Sequence, residues 1–149
     1  MLDLSVANHE IKINGYDVVR KDRNRHGGGV VIYTRSSINY TVRDDLAHES
    51  LEAITLEISK PRSKPFLINS WYRPPESALE LFNIYEDLIT RMDSENKEVV
   101  LIGDFNRDWT RLINNRSNAQ TNKLDEIAKT LQFEQLINEP TRITATTRT

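Results

Sequence analysis

The chain has 149 residues, 38% of them hydrophobic and 28% charged, with a formal net charge of −2 and no cysteine. That length makes one domain, able to bury about two-thirds of the surface its unfolded form exposes. Without cysteine there are no disulfides and no thiolate metal sites. The near-neutral charge gives no global attraction for nucleic acid, which would instead need a local basic face. No run is long and apolar enough to cross a bilayer, and Met1-Leu2-Asp3-Leu4-Ser5 does not read as a signal peptide. The expected location is intracellular, with the nucleus included and secretion excluded.

Residues Met1 to Asn8 show no period. Ile11 and Ile13 then alternate with Lys12 and Asn14, and Gly15-Tyr16 reads as a turn. Val18-Val19 leads into the basic run Arg20-Lys21-Asp22-Arg23-Asn24-Arg25-His26, which could meet phosphates but reads better as a solvated loop with local charge pairs. Gly27-Gly28-Gly29 is no P-loop, because no Lys-Ser/Thr pair follows it; it lets backbone pack closely as a strand begins. Val30 to Thr34 is rich in β-branched and aromatic residues and predicts that strand, with Ile38 to Val42 as its antiparallel neighbour. Leu51 to Ile58 and Phe66 to Tyr72 predict two more strands around the turn Pro61-Arg62-Ser63-Lys64-Pro65, completing a four-stranded antiparallel meander.

Arg73-Pro74-Pro75 ends the run, since proline cannot donate to a ladder. Ser77 with Glu80 forms a capping-box pattern, and Leu81, Phe82, Ile84, Tyr85, Leu88, Ile89 and Met92 follow at helical spacing on one apolar face. After a polar break, Val99-Val100-Leu101-Ile102 predicts a short strand buried on both faces. Strand, helix, strand is a βαβ crossover, which makes the flanking strands parallel neighbours. Farther on, Lys123 to Leu131 predicts a second helix and Phe133 to Ile137 a short strand.

Gly103-Asp104-Phe105-Asn106 follows the parallel strand, and ligand sites in open α/β sheets gather at the carboxyl ends of such strands. Mg²⁺-dependent phosphodiester cleavage needs oxygen ligands for the cation and donors for the charge that builds on phosphate. Asp104 suits orienting or deprotonating water and, indirectly, the metal; Asn106 suits donation to a phosphate oxygen. Tyr72 and Arg73 reach the same edge if the two strands are neighbours. The alternatives stay open at this level: a Gly-Asp turn with Asn106 as a cap, Tyr72 as an amphipathic aromatic at a strand end, and Arg73 as a surface charge. Trp109 reads as packing rather than base stacking. His9, His26 and His48 read as loop residues outside any metal-motif spacing, and neither Ser70 nor Ser77 sits in a nucleophile elbow.

Four segments in order, Gly27-Gly28-Gly29-Val30-Val31-Ile32-Tyr33, Tyr72-Arg73-Pro74-Pro75, Gly103-Asp104-Phe105-Asn106 and Pro140-Thr141-Arg142, resemble the endonuclease/exonuclease/phosphatase family. Within it, the nearest likeness is to the apurinic-type endonuclease domain of non-long-terminal-repeat retrotransposons, across about Ile11 to Thr144. The resemblance implies an α/β fold, a four-layer sandwich of two mixed β-sheets flanked by helices. It implies hydrolysis of phosphodiesters with Mg²⁺ or Mn²⁺, DNA as the partner, Asp104, Asn106 and Tyr72 as catalytic residues, and Arg73 with Asn106 on the substrate. Pro140-Thr141-Arg142 usually precedes the family's last motif without being catalytic.

Two departures accompany the likeness. The family opens with a strand bearing an asparagine and another ending in a metal-binding glutamate, and Glu10 does not sit in that context. It closes with an Asp-His pair, whereas no histidine follows His48 here. The expectation is therefore a partial sandwich lacking the first and last strands, one domain over residues 1–149, inactive alone and prone to self-association through exposed sheet edges. A non-catalytic remnant that keeps the fold, and a phosphatase- or sphingomyelinase-like relative, are the competing readings.

Overall fold

The structure, a computed structural model, describes residues 7, 9–23, 28–75, 77–106, 119–137 and 139. Segments rich in Val, Ile, Leu and aromatics become strands: β1 (Tyr16–Asp22), β2 (Gly29–Arg35), β3 (Asn39–Val42), β4 (Glu52–Ser59), β5 (Phe66–Tyr72) and β6 (Val99–Asp104). Segments with a helical apolar period become α1 (Glu80–Asp93) and α2 (Ala119–Thr130). β1 and β2 form an antiparallel two-stranded sheet, and β3-β4-β5-β6 form a four-stranded one. Its first three strands are antiparallel, whereas β5 and β6 run parallel through the α1 crossover, so the second sheet is mixed as expected.

Alternation of side chains divides the interior into two layers. Ile54, Leu56 and Ile58 of β4 point with Phe66 and Ile68 toward Val19, Val30 and Ile32 of the two-stranded sheet. Ala53, Leu67 and Trp71 point the other way, onto Phe82, Tyr85, Leu88, Ile89 and Met92 of α1, with Leu124 and Ile127 of α2 beyond them. A polar thread crosses this second layer: Tyr85 Oη donates to Asn69 Oδ1 at 2.9 Å, and Asn69 Nδ2 donates to Thr55 Oγ1 at 2.8 Å. Burial pushes the Tyr85 phenol well up, so it stays a neutral donor. The described residues thus give three layers of the expected four: sheet, sheet and helices.

Several expectations are corrected. Ile11 to Ile13 is not a strand. β1 instead starts at Tyr16, where a turn was expected, and takes in Arg20, Lys21 and Asp22. Its seven residues pair with β2 from Tyr16↔Arg35 to Asp22↔Gly29, so a cross-strand partner outweighs local polarity. β2 does not pair with β3: the chain turns at Arg35, where the Ile38 amide donates to its carbonyl, and passes to the other sheet. Only β3-β4-β5 is a meander. Among the described residues β6 is an edge strand, with Ile102 45% exposed, rather than a strand buried on both faces. α1 begins at Glu80 without a side-chain cap, because the Ser77 hydroxyl is engaged elsewhere. α2 starts before Lys123. Phe133 to Ile137 is irregular, with Leu136 and Ile137 exposed. Trp109, His26 and Pro140-Thr141-Arg142 lie outside the described residues.

Candidate active site

Parallel pairing brings the carboxyl ends of β5 and β6 together, with Tyr72 opposite Asp104. Glu52, the first residue of β4, lies opposite Tyr72 on the other side. Glu52, Tyr72 and Asp104 therefore stand abreast across three strands, on the face turned toward the two-stranded sheet. Adjacent strands lie about 4.8 Å apart, so the row spans about 10 Å.

Gly103 is required for β6 to approach so closely. Its φ is +140°, and a Cβ there would lie 2.0 Å from the Trp71 carbonyl oxygen. Phe105 then turns inward as an anchor, its ring 5.6 Å from Trp71 in an edge-on arrangement and 6.2 Å from Tyr85. Asp104 and Asn106, on either side of that anchor, are left at the surface and at its margin. Asp104 Oδ1 accepts the Asn106 amide N–H at 2.9 Å, an Asx turn. Asn106 sits in the left-handed region at φ +48°, which asparagine tolerates better than most residues. Its side-chain Nδ2 donates to the Arg73 carbonyl at 2.8 Å, and the Arg73 amide donates to the Asp104 carbonyl at 2.9 Å.

Arg73 is fully buried rather than a surface charge. Its Nε donates to the Phe105 carbonyl at 2.6 Å, Nη2 to the carbonyls of Pro75 and Asn106 at 3.1 Å each, and Nη1 to Ser77 Oγ. The guanidinium carbon lies 5.4 Å from the Phe82 ring centre. One side chain thus fastens the β6 exit to the β5–α1 loop, and the Ser77 hydroxyl that looked like a helix cap accepts from it instead. The bonds to carbonyls 105 and 106 fix the backbone that carries Asp104 and Asn106.

Tyr72 is half-buried. The Arg23 guanidinium lies 5.1 Å from its ring centre, and Arg23 Nε donates to Glu52 Oε1 at 2.6 Å. Sequence reading placed Arg23 in a solvated loop and gave Glu52 no role. The alternation of Leu51 to Ile58 carried the only signal, by turning Glu52 to the face of Ile54 and Leu56. His9 and His48 are exposed, as loop residues would be.

Among the described residues no group of three or more His, Asp or Glu side chains is placed to hold a metal ion. Asp104 is the one exposed carboxylate at the end of β6, with Oδ2 turned to no described partner. Magnesium keeps several waters and binds through one or two carboxylates plus substrate phosphates. The donor set therefore fits a cation shared between Asp104 and a bound phosphate, and does not form a protein cage.

No family model matches the sequence, and no curated protein does. Among solved structures, the chain is similar in fold to the endonuclease domain of TRAS1, a telomere-specific non-LTR retrotransposon. The two share a TM-score of 0.64 and 17% identity over 80% of this chain, which spans about half of that domain (53%). The fold is thus of the endonuclease-domain type, in keeping with the family the sequence resembles.

Proposed function

We propose that the chain is a Mg²⁺-dependent phosphodiester hydrolase-type domain of the retrotransposon endonuclease kind, with DNA as its partner. The observation that carries this is the register that sets Tyr72 beside Asp104 while Arg73 holds the Asn106 backbone behind them. The fold shared with the TRAS1 endonuclease domain supports it.

In this proposal the Asp104 carboxylate orients a water and takes its proton, with Oδ1 held by the Asn106 amide so that Oδ2 faces the water. The Asn106 side-chain amide has two N–H groups; one is spent on the Arg73 carbonyl and the second donates to a phosphate oxygen. The Tyr72 phenol donates to the same phosphate from the neighbouring strand. Arg73 acts on the substrate only through the backbone it fixes. Asp104, together with the phosphate, would hold a divalent cation, directly or through water, and that cation would supply polarisation of the phosphoryl oxygen.

Among the described residues Asp104 is the one exposed carboxylate of the row, Glu52 being held by Arg23, and this favours a second feature of the proposal: the chain binds the cation weakly and cleaves poorly, as a fold-retaining module does. Fluorescence anisotropy with a labelled DNA duplex and plasmid nicking with Mg²⁺ test the two parts. Duplex binding with nicking near background is the expected result. Absence of duplex binding overturns the DNA assignment, and strong nicking abolished by Asp104→Ala overturns the incompleteness.

A further inference from the structure

The Arg23–Glu52–Tyr72 group is unexplained by packing. Glu52 Oε1 holds Arg23 at 2.6 Å, while Glu52 Oε2 is buried without a hydrogen-bond partner among the described residues. Such an orphaned carboxylate oxygen costs stability, and an ion pair with one unsatisfied oxygen is a poor device for holding a fold together. Gly28 lies against the same guanidinium. Gly28 has φ +99°, and a Cβ at that position would lie 2.9 Å from Arg23 Cζ and 3.2 Å from Nε and Nη1. The Arg23 side chain, 36% exposed, lies with its guanidinium against the Gly28 backbone, the Glu52 carboxylate and the face of the Tyr72 ring. The Arg23 amide donates to the Gly28 carbonyl at 3.4 Å, closing the same bend.

We infer that Arg23 is a positioning residue for Tyr72: Glu52 fixes the orientation of its guanidinium, and its cation holds the Tyr72 ring so that the phenol faces the phosphate beside Asp104. The inference rests on the phosphodiester reading of that site. The guanidinium pKa is raised, chiefly by the hydrogen bond Arg23 donates to Glu52, with a smaller hydrogen-bond contribution from Tyr72. A cation over a ring is sensitive to geometry, so a guanidinium with a fixed partner restricts the ring more than a mobile one. Arg23 thereby contributes to substrate binding without itself meeting the phosphate.

Two readouts on the whole chain test this. The first is a double-mutant cycle on affinity for a phosphorothioate DNA duplex without metal, across a salt series, using Arg23→Gln, Arg23→Lys, Tyr72→Phe and the double variant. Arg23→Gln is expected to weaken binding about two- to fivefold and to have little further effect once Tyr72 is Phe, with the salt slope unchanged. Equal losses in both backgrounds with a slope smaller by about one would mean a direct phosphate contact, and would overturn the inference. The second readout is the NMR signal of the Tyr72 ring in the unliganded chain. It is expected to move toward a motionally averaged position in Arg23→Gln and Glu52→Gln and to be rescued in part by Arg23→Lys. An unmoved ring signal in folded Arg23→Gln would overturn the positioning role even if DNA binds. A wild-type chain that binds no duplex would sink the DNA assignment, while the ring signal still decides whether Arg23 holds Tyr72.

Discussion

At the residue scale, two positions in Gly103-Asp104-Phe105-Asn106 carry backbone conformations that few residues accept. Gly103→Ala would place a methyl group 2.0 Å from the Trp71 carbonyl at φ +140°. The expected loss is about 2–4 kcal/mol of stability, from dihedral strain plus displacement of β6, read from urea unfolding midpoints. Asn106→Ala removes the bond to the Arg73 carbonyl and puts a less tolerant residue at φ +48°. Its expected cost is about 1–2 kcal/mol, accompanied by weaker duplex binding, measured side by side on the same preparation. The sequence made Asp104 and Asn106 visible as a pair, because polar residues two apart after an apolar strand are easily seen. It did not show that Phe105 between them is the anchor, since an aromatic within a loop motif has no periodicity to reveal which way it points.

At the element scale, the β5–α1–β6 crossover determines the site, and Arg73 is the side chain that joins its two ends. Arg73→Met keeps the volume but leaves the carbonyls of Pro75, Phe105 and Asn106 without that donor. Phe105 and Asn106 are partly buried, and an acceptor left unsatisfied out of water costs about 1–3 kcal/mol, so the variant should unfold at a lower urea concentration than wild type. A variant as stable as wild type would show that the cluster is dispensable. The crossover itself was legible: a capped apolar period between two hydrophobic runs admits few alternatives. Its starting point was not, because Ser77 has two competing uses and only the folded chain reveals that a buried guanidinium takes the hydroxyl. The β2–β3 pairing was misread for a related reason. Alternation tells which face of a strand is buried, and it carries no record of which strand lies alongside.

At the scale of the whole molecule, charge and edges decide behaviour in solution. Arg43 joins Asp45, Glu57 and Glu95, and Lys97 joins the last two, in one network beside the sheet. Hydrogen bonds from Arg43 and then Lys97 hold the Glu95 carboxyl down to about 2, and Arg43 holds Asp45 down to about 2. Carboxyls with folded pKa values below the unfolded ones stabilise the fold above the unfolded values and lose that contribution as pH falls through the folded ones. Stability should therefore be steady above about pH 5 and decline toward about pH 2. Arg43→Met should flatten that decline in urea titrations repeated along the pH series. The edge of β6, unpaired among the described residues and with Ile102 45% exposed, gives a further expectation: concentration-dependent self-association in sedimentation velocity, reduced by Ile102→Lys.

The sequence alone determined the α/β class, the positions of five of the six strands among the described residues within a few residues, the α1 crossover and the polar pair at its exit, because each is written in local periodicity or turn chemistry. The tertiary structure decided what depends on partners distant in sequence. It gave β1 its strand identity through β2, made β6 an edge, buried Arg73 among carbonyls, and set Arg23 and Glu52 against Tyr72. Those outcomes depend on where carbonyls, rings and charges from separate segments meet, and no local pattern of residues encodes that meeting.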